Sequence, residues 1–154
     1  MKDNEELAYY ISHTGMKYKI IKDLSEAFPM PPYKILSVDF KGKEKFLPFE
    51  NYLTEKYGDK VNFFMSGDYY LEIVPKGIDK GAAVRWLCDH LGIDIENSVA
   101  AGDAQNDIAM LQAAKVAAVM CNATEEIKAY ASYVTKNDNN HDGVKEIIET
   151  FILN

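Results

Sequence analysis

The chain has 154 residues, 47% of them hydrophobic and 27% charged, enough apolar material for one ordinary domain or two small ones and too much for a disordered segment. Its net charge of -7 and pI near 4.9 argue against a nucleic-acid partner, because an acidic surface repels a phosphate backbone. No run reaches membrane-spanning length and Met1–Glu6 carries no apolar signal region, so a cytoplasmic protein with no membrane partner is expected. Cys88 and Cys121 stand far apart and read as reduced thiols.

Residues 3–28 read as helix in two pieces around Thr14-Gly15. Leu7, Tyr10 and Ile11 form one stripe, and Ile20, Ile21, Leu24, Ala27 and Phe28 form the other. Pro29, Pro31 and Pro32 end this region. Lys34–Phe40 reads as a strand and Lys41–Lys43 as a turn. A helix then carries Phe46, Leu47, Phe49, Tyr52, Leu53 and Tyr57 to Gly58; Pro48 fits only a first turn, which predicts a start near Leu47. Val61–Ser66 and Tyr69–Val74 are aromatic and branched, and flank the hairpin signal Gly67-Asp68.

After Pro75 the pattern changes to strands separated by single helices. A helix opens at Asp79 or Lys80 and carries Ala83, Val84, Leu87, Cys88 and Leu91 to Gly92. Residues 98–102 form a strand, 107–114 a helix, and 116–120 a strand. Thr124 caps a helix through Tyr130, Tyr133–Thr135 is a short strand, and Val144, Ile147, Ile148, Phe151 and Ile152 mark a final helix. Single-helix crossovers imply a parallel sheet. The expected fold class is therefore α/β, with a boundary near residue 75: 1–74 as an α+β unit and 75–154 as a parallel-sheet unit. No internal repeat is present.

Chemistry concentrates in two stretches. Gly102-Asp-Ala-Gln-Asn-Asp107 presents two carboxylates and a carboxamide where a strand ends, a suitable place for a hard cation. The same residues also suit an ordinary strand-turn-helix connection. Upstream, Pro75-Lys-Gly-Ile-Asp-Lys-Gly81 opens a helix; a lysine there can neutralise a phosphoryl group and nearby carboxylates. Lys76 reads as a solvated residue. His13, His90 and His141 have no partner at ligand spacing, and Phe63, Phe64, Tyr69 and Tyr70 read as sheet-face residues.

Lys76–Gly81, followed about twenty residues later by Gly102–Leu111, resembles the third and fourth motifs of the haloacid dehalogenase (HAD) superfamily, in its Cof-type sugar-phosphatase-like branch. Ala118–Ala123 with Glu125–Lys128, then Ala131–Thr135 and Asn137 through Val144, resemble the closing segments of that branch. The resemblance implies a Rossmann-like parallel sheet with helices on both faces, here the C-terminal half of the core, preceded by part of an α+β cap. It implies magnesium-dependent hydrolysis of small phosphate monoesters, such as sugar phosphates, through an aspartyl-phosphate. Lys80 matches the lysine that stabilises the nucleophile and the transferred group, Asp103 a Mg2+ ligand, Asp107 the second acid holding the metal, and Asn106 a substrate-side amide.

The superfamily's Asp-x-Asp-Gly-Thr nucleophile segment is not in this sequence, nor is its Ser or Thr motif. Leu36-Ser-Val-Asp39-Phe-Lys-Gly42 imitates the former but places Lys41 where an acid is required. Cys121 stands where the branch has glycine. The expectation is a fragment inactive alone, which pairs with a second copy or with a complementing N-terminal half at the exposed side of its 98–102 strand. A non-catalytic binding or regulatory module that keeps the fold is the competing class, and a response-regulator-like domain is disfavoured by the late position of the acids.

Overall fold

A computed structural model describes residues 4–26 and 30–153. The chain divides into two compact units, Met1–Lys76 and Gly77–Asn154.

In the first unit, helix α1 (Glu5–Thr14) is capped by Asn4, whose Oδ1 accepts from the Leu7 N–H at 2.9 Å. Strand β1 (Ile35–Val38), helix α2 (Lys43–Tyr57), strand β2 (Val61–Gly67) and strand β3 (Tyr70–Pro75) follow. The sheet is antiparallel in the order β1-β3-β2. Tyr9 of α1 meets Phe40 and Tyr69 edge-on, at 5.4 and 6.3 Å between ring centroids, so aromatic edges join this helix to the end of the sheet.

Three expectations need correction here. The second helical piece does not form: residues 15–23 are irregular, a 3-10 turn covers Leu24–Glu26, and Ala27, Phe28 and Pro29 lie outside the described residues. Of this stripe Ile20 is exposed and Ile21 only half-buried, and a short helix without firm tertiary support is not stable. Helix α2 starts at Lys43 rather than near Leu47, and Pro48 lies inside it. The proline forgoes one backbone bond, but buried Phe46, one turn in from the helix start, anchors the segment. The hairpin turns on Asp68 and Tyr69; Gly67 instead pairs with Tyr70 after a register shift beyond Met65.

The second unit is a parallel sheet with helices. Helix α3 (Lys80–Leu91) starts at Asp79, whose Oδ1 accepts from the Ala82 N–H at 2.7 Å. Strand β4 (Val99–Gly102), helix α4 (Ile108–Ala113), strand β5 (Val116–Val119), helix α5 (Glu125–Lys128), strand β6 (Tyr133–Val134) and helix α6 (Gly143–Phe151) complete it. The strand order is β4-β5-β6, with Val99–Gly102 beside Val116–Val119 in register. Small residues alternate along β4. Ala100 packs with Leu111, Ala117, Val119 and Ile127 on the α4/α5 face. Val99 and Ala101 face Ala118, Met120 and Ile147 beneath α6. Several elements are shorter than expected: β4 and β5 by one residue each, while α4 begins after a 3-10 turn at Gln105–Asp107, α5 ends at Lys128, and β6 ends before Thr135. Among the described residues no helix is long and apolar enough to cross a membrane.

Candidate functional site

Where β4 ends, the chain turns sharply and brings Lys80, Asp103 and Asp107 into reach. Gly102 is the last strand residue, and a Cβ there would lie 2.6 Å from the Asp107 Cβ. The absence of that carbon lets the turn fold back on the strand. The 3-10 turn Gln105–Asp107 then places Asp107, only 5% exposed, under the strand end.

Both oxygens of Asp107 are engaged. Oδ2 accepts from the Asp103 N–H at 3.0 Å and the Ala104 N–H at 3.2 Å. Oδ1 accepts from Lys80 Nζ, which reaches across from the first turn of α3. Burial pushes the Asp107 carboxyl up. The Lys80 ammonium and the two backbone donors outweigh it, and the net shift is downward. A group with a lowered folded-state value stabilises the fold above the ordinary carboxyl range. The stability difference between wild type and Asp107→Asn is therefore expected to be constant at neutral pH. It should shrink as pH falls below that range and vanish beneath the folded-state value, as measured by melting temperature against pH.

Lys80 is positioned by helix packing. Gly81 lets α3 lie against α4: a Cβ there would sit 2.7 Å from the Ala109 carbonyl carbon. Lys80 is about half exposed, so its ammonium is anchored on one side and open on the other. Asp103 is half-buried, and among the described residues its carboxylate makes no hydrogen bond or ion pair. Asn106, in the turn, is likewise half-buried. The structure thus brings Lys80, Asp103 and Asp107 together and leaves the Asp103 carboxylate available. Asp39 lies in the first unit, where its Oδ1 accepts from the Lys41 N–H at 2.9 Å as a turn residue. Among the described residues no group of three or more His, Cys, Asp or Glu side chains is close enough to hold a metal ion.

Sequence reasoning missed the clamp behind the other strand ends. Thr135, 3% exposed, accepts from the Cys121 N–H at 3.1 Å and donates to the Asn137 carbonyl at 2.5 Å. Glu146 of α6 accepts from the Tyr133 hydroxyl at 2.6 Å, the Lys136 N–H at 2.9 Å and the Asn137 N–H at 3.1 Å. The Tyr133 hydroxyl and these backbone donors hold the Glu146 carboxyl below its ordinary value. The Asn122 side chain accepts from the Asn139 N–H at 3.2 Å, tying the two loops together. A glutamate on an amphipathic helix reads as a solvated residue, so the sequence carried no sign of this role. The three histidines bring no site: His90 stacks on Trp86 at 4.8 Å, and His141 pairs with Asp138 at 2.7 Å.

A family model for haloacid dehalogenase-like hydrolases matches residues 2–148. A phosphoglycolate phosphatase of Methanobrevibacter smithii is 42% identical over 98 residues, 64% of this chain and 41% of its own. An HMP-PP phosphatase of Escherichia coli O6:H1 is 31% identical over 129 residues, 83% of this chain and 46% of its own. The crystal structure of a haloacid dehalogenase-like hydrolase from Bacteroides thetaiotaomicron superposes with a TM-score of 0.80 at 33% identity, covering 96% of this chain and 54% of that one. The chain spans about half the length of the curated relatives it matches.

Proposed function

The chain belongs to the haloacid dehalogenase-like hydrolase family, and from that premise we propose that it carries the lysine and metal-side acids of a magnesium-dependent phosphatase centre for small phosphorylated metabolites. The observation that carries this reading is the split between the two acids at the end of β4. Asp107 is spent on Lys80 and two backbone donors, while the Asp103 carboxylate is left uncommitted beside them.

The donor set suits magnesium, which accepts one or two carboxylates and completes its shell with water and substrate phosphate. Asp103 would hold it, with Asp107 acting behind by fixing the turn and the lysine. Bound there, the ion would neutralise charge on a phosphoryl group. Lys80, aimed by Asp107, places its ammonium on the same charge from the protein side. Asn106 offers an amide donor to the substrate. A carboxylate nucleophile and its acid-base partner are the parts this chain does not bring to such a reaction. Turnover by the chain alone is therefore expected to be negligible.

The names of the relatives support the substrate class, since a phosphoglycolate phosphatase and an HMP-PP phosphatase both act on small phosphorylated compounds. The test has two readouts. Magnesium with inorganic phosphate should raise the melting temperature of the wild type by a few degrees, as a ligand at about ten times its Kd contributes roughly 1.4 kcal/mol. Asp103→Asn should abolish that shift. p-Nitrophenyl phosphate with magnesium should give no turnover; turnover that disappears in Asp103→Ala would overturn the missing nucleophile. A magnesium-independent melting temperature would favour a non-catalytic module.

A further inference from the structure

Three loops leave the carboxyl ends of β4, β5 and β6, the end of a parallel sheet at which ligands bind. The first of them carries Asp103 and Asp107, and a chain of hydrogen bonds ties it to the other two. Met120, one residue past β5 and 4% exposed, donates its N–H to the Gly102 carbonyl at 3.0 Å. Asp103 is the next residue after Gly102, so the point from which Asp103 emerges depends on how β5 leaves the sheet.

Thr135 governs that exit. Its N–H donates to the Val119 carbonyl at 2.9 Å, and its hydroxyl accepts from the Cys121 N–H at 3.1 Å. These two bonds flank Met120 in sequence and hold its backbone from both sides. A hydroxyl has one proton to give, and this one goes to the Asn137 carbonyl. Glu146 fixes that acceptor in turn: its carboxylate takes the Lys136 and Asn137 N–H groups and, at 3.0 Å, the Asn137 side-chain amide. Gly143 completes the support. A Cβ there would lie 2.6 Å from the Met120 sulfur and 2.7 Å from the Asp138 carbonyl oxygen, so α6 begins in contact with Met120. A hydroxyl that is almost fully buried costs stability unless its bonds are made, and packing alone would be served by valine, which has the same shape.

We infer that Thr135 is a positioning residue for the Asp103 turn, with Glu146 holding Thr135's own acceptor in place. The inference deepens the phosphatase reading above and rests on it. The hydroxyl sets the exit of β5, the Met120–Gly102 bond passes that setting to the end of β4, and the Asp103 carboxylate is thereby presented at a fixed place beside Lys80. Neither Thr135 nor Glu146 touches metal or substrate in this role. Partners of this indirect kind govern how well a metal ligand is aimed.

The test compares Thr135→Val with Thr135→Ser in the full chain. Valine keeps the volume and removes the hydroxyl; serine keeps the hydroxyl and removes the methyl. Thr135→Val should raise the magnesium concentration that gives half of the phosphate-dependent melting-temperature shift by about tenfold, and Thr135→Ser should restore most of it. Hydrogen exchange read residue by residue by NMR, without magnesium or phosphate, should show the Met120 and Asp103 amides of Thr135→Val exchanging faster relative to the core amide of Leu111. Glu146→Gln should move both readouts in the same direction by less, and it decides the matter if Thr135→Val does not fold. A lower melting temperature with an unchanged half-saturating concentration would make Thr135 a structural residue only and overturn the inference. So would a serine variant that behaves like valine, or Met120 and Asp103 amides that exchange as in wild type. A wild type without any magnesium-dependent shift would sink the phosphatase reading instead, and the exchange rate at Asp103 would still show whether Thr135 positions the turn.

Discussion

Asp107→Ala is expected to destabilise the second unit by about 2 kcal/mol, because it removes the acceptor of one charge-assisted and two backbone hydrogen bonds at a buried position. The cost stays below that of breaking a fully buried ion pair, since Lys80 is half exposed and can rehydrate. In a domain of under a hundred residues this corresponds to a melting-temperature drop of roughly 8–16 °C. The consequence for the site is larger. Without the carboxylate the Asp103–Ala104 turn loses its anchor and the lysine its aim, so the magnesium- and phosphate-dependent shift should disappear as well. Thermal denaturation with and without magnesium and phosphate measures both. A variant that melts like wild type would show that the Lys80 contact contributes nothing to the fold.

Gly81→Ala is the second large effect, and its sign is set by competition. Helix propensity alone predicts that alanine stabilises α3 by up to about 1 kcal/mol. The tertiary contact opposes this: the new Cβ would meet backbone, the Ala109 carbonyl, rather than a side chain that could swing away. Overpacking of this kind costs about 1–3 kcal/mol and moves the helix. With the full propensity gain, the net expectation is a loss of up to about 2 kcal/mol. Lys80 is the adjacent residue, so a displaced α3 also weakens its bond to Asp107. Melting temperature reads the first effect, and pH-dependent stability compared with Asp107→Asn reads the second. An alanine variant more stable than wild type would mean that α3 and α4 can separate freely.

Much of the second unit was legible because its signals are local and agree with one another. Asp79 before Lys80 caps a helix, and Val99–Gly102 and Val116–Val119 are apolar runs of strand length. Single helices between strands admit few topologies besides a parallel sheet. The first unit was less legible. Ile20, Ile21 and Leu24 have helical spacing, yet spacing predicts a helix only where something covers its apolar face, and Ile20 is exposed. Pro48 argued locally for a late helix start, while the burial of Phe46 carried the helix four residues further back.

By itself the sequence determined the family resemblance, the acids that follow β4 and the lysine that opens α3, because residue types at set spacing in a strand-turn-helix frame leave little freedom in where they emerge. It could not divide the labour between the two acids. That Asp107 turns inward to Lys80 and two backbone N–H groups, while the Asp103 carboxylate remains uncommitted, depends on α3 packing on α4 through Gly81. The clamp of Thr135 and Glu146 was decided in the same way. Each is a contact, or the lack of one, between residues distant in the chain, and the free energy that selects it exists only once the layers have come together.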